Sequence, residues 1–120
     1  MILVDTSIWI DHLRNGDDRL KSLLIDGQVF IHPFIIGGLA LGNLRQRRKI
    51  LQLLMDLPEA ITANDNEAID FIEKHSLYGL GIGYIDAHLL ASAKLSSVLL
   101  WTKDKKLHEV AKKLKLASFP

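Results

Sequence analysis

Short apolar runs of strand type recur between longer segments of helical period, and this alternation restricts the possible folds more than any other feature of the chain. Residues 2–4 (Ile-Leu-Val), 28–31 (Gln-Val-Phe-Ile) and 97–101 (Ser-Val-Leu-Leu-Trp) read as strands, with a brief strand near 60–62 and an edge strand near 117–118. Helical patterns fill the intervals: residues 7–12, 19–26, 33–44, 45–56, 66–75, 84–95 and 104–114. Residues 19–26 place Leu20, Leu23 and Leu24 on one face, and Pro33 suits the first turn of the segment it opens. Short apolar strands separated by helices can bury themselves only in a mostly parallel sheet covered on both faces. The expected fold is therefore α/β, a three-layer α/β/α sandwich. The 120 residues, 48% of them hydrophobic, fit one domain spanning residues 1–120. Segment 33–44 has almost no polar face and is expected to be buried on most sides.

Other properties exclude whole classes. The chain has no cysteine, which removes disulfide scaffolds and cysteine-ligated zinc and suits a reducing cytoplasm. The first apolar run is cut at once by Asp5 and follows no basic stretch, unlike a secretory signal. No run of about 18 apolar residues is present, so no membrane span is expected. Fifteen Lys and Arg against fourteen Asp and Glu give a formal charge of +1, so any affinity for nucleic acid must come from clustering.

Three aspartates stand at the junctions of apolar segments: Asp5 after Ile2-Leu3-Val4, Asp86 within Tyr84-Ile85-Asp86-Ala87, and Asp104 just past Leu99-Leu100-Trp101. Each has a plainer explanation when taken alone. Asp5 and Asp104 both precede helices and would serve as caps, while Asp86 shares a helix face with Leu89, Leu90 and Ala93 and could be a satisfied buried hydrogen-bonding group. Taken together they point elsewhere. Ligands of parallel α/β sheets collect at the carboxyl ends of the strands, where Asp5 and Asp104 fall. Several carboxylates in apolar settings need a shared positive partner, and oxygen-only ligands select a hard ion, Mg²⁺ or Mn²⁺, over zinc. His12, His32, His75, His88 and His108 show no paired metal-ligand spacing, and the loop Gly79-Leu80-Gly81-Ile82-Gly83 lacks the lysine and hydroxyl of a nucleotide-binding loop. It reads as an entry loop.

Four fragments carry a resemblance when taken in order: Ile2-Leu3-Val4-Asp5-Thr6-Ser7-Ile8-Trp9-Ile10, His32-Pro33-Phe34 with Leu39-Ala40-Leu41-Gly42-Asn43-Leu44, Ile85-Asp86-Ala87-His88-Leu89-Leu90-Ala91, and Leu100-Trp101-Thr102-Lys103-Asp104. Across almost its whole length the chain resembles the PIN-domain ribonuclease toxins of the VapC type. The resemblance implies a compact PIN-like α/β/α domain, a Mg²⁺- or Mn²⁺-dependent endoribonuclease with Asp5, Asp86 and Asp104 as catalytic metal ligands, a homodimer, and a cognate antitoxin protein as the neutralising partner in a toxin-antitoxin system. Thr6, Ser7 and Thr102 are candidates for orienting water or phosphate, a role that helix capping rivals.

One position departs from the family pattern. Its members place a glutamate in the helix after His-Pro-Phe, whereas this chain reads Gly37-Gly38-Leu39, with Gly38 where the acid is expected. Consecutive glycines inside a helix each cost about 0.5–1 kcal/mol relative to alanine, so they need a reason. Either Gly38 admits a close helix contact, or it replaces a catalytic glutamate and weakens the enzyme.

Basic residues gather in two places, Arg45, Arg47, Arg48 and Lys49, and Lys103, Lys105, Lys106, Lys112, Lys113 and Lys115. Of these Arg45, Arg47, Arg48, Lys103 and Lys105 are the expected contacts to an RNA substrate, against the plainer reading of a solvated helix face. Trp9, Trp101 and Tyr84 are expected in the core. Two rival functions remain. A phosphatase using Asp5 as nucleophile would carry a second aspartate two residues on, where Ser7 stands. A non-catalytic PIN-like protein binding RNA or an antitoxin is compatible with Gly38.

Overall fold

The computed structural model describes residues 1–118, so the last two residues of the expected domain lie outside the described part. Three parallel strands form its sheet: β1 (Ile2–Val4), β2 (Val29–Phe30) and β3 (Leu99–Trp101), in the order β2-β1-β3. Ile2 lies opposite Val29 on one side and Leu99 on the other, and the β1–β3 ladder continues through Leu3–Leu100 and Val4–Trp101. Successive strand residues point to opposite faces, yet Ile2, Leu3 and Val4 are all buried, so both faces of the central strand are covered. This is the α/β architecture expected.

Among the described residues, seven helices surround the sheet: α1 (Thr6–Asn15), α2 (Asp18–Ile25), α3 (Pro33–Ala40), α4 (Arg47–Met55), α5 (Asp65–Lys74), α6 (Tyr84–Ser96) and α7 (Lys105–Lys113). α6 packs on both β3 and α5, α7 on β3, and α3 lies between α1 and α4. Side chains fix the helix starts: Asp17 caps α2, Asn64 and Glu67 form a capping box on α5, and the His32 ring accepts the Phe34 N–H at the head of α3. α6 buries an unbroken run from Ala87 to Ala93, which explains its apolar sequence. No helix of the described residues is long and apolar enough to cross a membrane.

Three local expectations are corrected. The helix expected over 33–44 ends at Ala40, because Gly42 and Asn43 break it, Gln46 turns at φ 49°, and the Arg47 guanidinium reaches back to the carbonyls of Ala40 and Gly42. It is also only half covered: Ile35 and Leu39 face the core, whereas Phe34 is 41% and Leu41 92% exposed. The strands expected near 60–62 and 117–118 shrink to single bridges, Ile31 with Glu59 and Leu100 with Ala117. Each has too few residues in register to extend the sheet.

The strand order creates the site. From central β1 the chain moves to β2 on one side and later returns to β3 on the other, so the carboxyl ends of β1 and β3 lie side by side at the switch point of the strand order. Asp5 and Asp104 follow those two ends.

Candidate active site

Asp5 is the first residue beyond β1 and the cap of α1; its N–H continues the ladder to the Trp101 carbonyl at 2.9 Å. Its carboxylate is 8% exposed and well supplied with donors. Oδ1 accepts the Thr6 N–H (2.8 Å) and hydroxyl (3.2 Å), and Oδ2 accepts the hydroxyls of Thr102 (2.7 Å) and Ser7 (3.4 Å). Thr102 continues towards the next aspartate, its Oγ1 accepting the Asp104 N–H at 3.1 Å, while the Ser7 hydroxyl accepts the Lys103 N–H at 3.1 Å. Ser7 and Thr102 thus tie the β1 and β3 exits together, while Thr6 holds Asp5 locally. Asp104 caps α7 by accepting the Leu107 N–H at 2.9 Å. The capping roles of Asp5 and Asp104 are real, and they fix both carboxylates on the same edge.

Asp86 lies in the first turn of α6, where Oδ2 accepts the Gly83 N–H at 3.1 Å. Burial, the largest cause, raises its carboxyl above the usual aspartate range; the negative charges of Asp5 and Asp104 push the same way, and the Gly83 N–H opposes them. Asp86 thus lies within the field of both other carboxylates.

None of the three carboxylates has an ion-pair partner among the described residues. Nor does any group of three or more His, Cys, Asp or Glu side chains there stand together as a ready metal site. Asp5, Asp86 and Asp104 offer oxygen donors only, the kind that a hard divalent cation would take.

Gly38 lies against the start of α1. A Cβ on it would stand 3.1 Å from Cγ2 of Thr6, so α3 runs close to α1 beside Asp5, and Thr6 would have to yield a few tenths of an ångström to any side chain. A groove of about 570 Å³ opens alongside, lined by Ile10, Leu13 and Arg14 of α1, Gly38 and Leu39 of α3, and Arg45 and Ile50 beyond.

The expected RNA contacts separate. Arg45 lines the groove, and Arg47 and Arg48 line a shallower depression with Lys49. Arg47 also closes the end of α3, as described above. Lys103 forms an ion pair with Asp11, and Lys105 opens the first turn of α7. Trp9 and Trp101 are buried as expected, with the Arg19 guanidinium 4.3 Å from the Trp101 ring centroid. Tyr84 is a correction: it is 44% exposed, and its hydroxyl donates to Asp65 at 2.6 Å, which lowers the Asp65 carboxyl. His88 is buried edge-on to Phe34 and Tyr84 with Nε2 3.2 Å from Asp65. Asp11 and Asp65 escaped the sequence reading, because an exposed aspartate on a polar helix face carries no signal of its distant partner.

A sheet whose central strand delivers an acid to the switch point, faced by acids from two later helices, defines an α/β acidic-centre domain. The PIN domain model matches residues 2–113, and the chain belongs to the PIN-domain family, on its VapC side. It is 44% identical over 108 residues to Ribonuclease VapC32 of Mycobacterium tuberculosis, covering 89% of this chain and 87% of that protein. Among solved structures it is similar to FitAcB from Neisseria gonorrhoeae, with TM-score 0.65 at 19% identity over 100% of this chain and 97% of that one. PAE2754 from Pyrobaculum aerophilum gives TM-score 0.62 at 16% identity over 94% and 85%. The structural likenesses establish the fold.

Proposed function

We propose that this protein is the toxin of a toxin-antitoxin pair, an endoribonuclease of the VapC type that hydrolyses RNA phosphodiester bonds with Mg²⁺ or Mn²⁺. The observation that carries the reading is the link through Thr102 of Asp5 and Asp104 at one sheet edge, with no basic side chain paired to either among the described residues. The 44% identity to a named ribonuclease supports the reaction class.

The chain's own groups prepare the site. Thr102 and the Thr6 N–H fix Asp5 with both oxygens engaged, so that its charge stays where a cation is needed. Asp86 and Asp104, each pinned by a backbone N–H, complete the oxygen set. When bound, a divalent ion supplies Lewis-acid chemistry, offsetting phosphate charge and making water nucleophilic near neutral pH. Without it the carboxylates repel RNA, so substrate and ion bind together.

In this reading Gly38 stands in place of a fourth acid and leaves the enzyme attenuated. Its approach to Thr6, the residue after Asp5, supports this reading. The groove beside Gly38, apolar with Arg14 and Arg45 at its edge, suits a segment of an antitoxin protein carrying apolar and acidic residues. The exposed Phe34, Leu41, Leu53 and Met55 of α3 and α4 support a homodimer. A cytoplasmic location follows from an intracellular RNA target.

Incubating the protein with structured RNA and Mn²⁺ tests the reading. Discrete fragments that disappear with EDTA support it. Intact RNA, both from this chain and from Gly38→Glu, leaves the non-catalytic binding protein as the better account.

A further inference from the structure

Lys106 lies flat across the glycine-rich loop that precedes α6. A Cβ built on Gly81 would stand 2.9 Å from both Cδ and Nζ of Lys106 and 3.3 Å from Cε, so the end of this lysine occupies the space any other residue at 81 would need. Gly81 also has φ +81°, a backbone conformation suited to glycine. The two residues belong to different parts of the acidic centre. Gly81 comes two residues before Gly83, whose N–H holds Asp86, and Lys106 comes two residues after Asp104 in the first turn of α7. The ammonium therefore sits at the seam between the elements that carry two of the three acids.

It sits there uncompensated. Among the described residues Lys106 has no carboxylate within 4.0 Å, in contrast to Lys103, which Asp11 already neutralises. An ammonium with no carboxylate partner is free to take an anion. The Gly81 and Ile82 N–H groups, which have no acceptor among the described residues, add donors next to it.

We propose that Lys106, held in place by Gly81, binds an RNA backbone phosphate neighbouring the one that is cleaved, so that the Gly79–Gly83 loop and the start of α7 form a phosphate subsite beside the acidic centre. The inference rests on the ribonuclease reading. Lys106 is a substrate-binding residue and Gly81 a positioning residue acting through it.

The test is fluorescence anisotropy with a labelled single-stranded RNA in Ca²⁺, across a salt series, with RNA integrity checked on a gel. Losing one phosphate contact to single-stranded RNA makes the slope of log K against log salt shallower by about 0.7. Lys106→Ala is expected to weaken binding and show that change, Lys106→Arg to retain both, and Gly81→Ala to match Lys106→Ala, with the double variant no worse than either. Should Gly81→Ala fail to fold, the Ala and Arg variants of Lys106 decide alone. Binding by the unchanged chain that is indifferent to Lys106→Ala overturns the subsite and leaves the ribonuclease reading standing. No RNA binding by the unchanged chain overturns both.

Discussion

Replacing Thr102 by valine removes one hydroxyl and almost no volume, and it cuts the link between the β1 and β3 exits. Two hydrogen bonds are lost: the donation to Asp5 Oδ2 at 2.7 Å, buried and charge-assisted, and the acceptance of the Asp104 N–H at 3.1 Å. A hydrogen bond to a charged group contributes about 1.5–3 kcal/mol and a neutral one about 0.5–1.5 kcal/mol. Thr102→Val should therefore destabilise the metal-free protein by about 2–4 kcal/mol at neutral pH. Thr102→Ser keeps the hydroxyl and removes one buried methyl, a change of about 1 kcal/mol. Urea unfolding followed by circular dichroism gives both values. A loss below about 1 kcal/mol for the valine variant, or equal losses for valine and serine, would refute the claim that this hydroxyl ties the two acidic termini together.

His32 gives a pH prediction of definite sign. Burial first, and the neighbouring His88 second, hold its pKa down to about 4, so between that value and the ordinary 6.5 the unfolded chain binds the proton the folded one refuses. Stability should fall as pH drops from 6.5 to about 4, by up to about 3 kcal/mol from this group. His32→Asn, which can still cap α3, should flatten that step in the urea midpoint. Asp86 has the opposite slope, because its raised pKa makes the folded state the better proton acceptor. The metal-free protein loses stability as pH rises from the usual carboxylate range through the raised value, and Asp86→Asn should remove this loss in thermal melts while abolishing stabilisation by Mn²⁺. Gly38→Glu should bind Mn²⁺ more tightly in calorimetry and cleave RNA faster. An unchanged cleavage rate would leave close packing against Thr6 as the reason for the glycine.

The sequence revealed the parallel sheet and the helix order because a fully buried strand and an amphipathic helix each leave a local pattern. The three aspartates were legible for a related reason, since a carboxylate interrupting an apolar run requires compensation wherever the chain goes. Strand order was not legible. Placement of β3 beside β1 depends on the whole crossover, and so therefore does the position of Asp5 and Asp104 at neighbouring strand ends. The early end of α3 was hidden as well, because it depends on Arg47 reaching back from the next helix. Pairings such as Lys106 with Gly81, Lys103 with Asp11 and Tyr84 with Asp65 leave no periodic trace in the chain and emerge only from the packing.

Mn²⁺ binding followed by electron paramagnetic resonance addresses the central claim most directly, because it reports the ion itself and needs no cleavage. Titration of the unchanged chain should show saturable uptake of Mn²⁺, weakened by each of Asp5→Asn, Asp86→Asn and Asp104→Asn and untouched by Asp65→Asn. Absence of saturable uptake, or uptake indifferent to the first three substitutions, would contradict a shared metal centre at the neighbouring ends of β1 and β3.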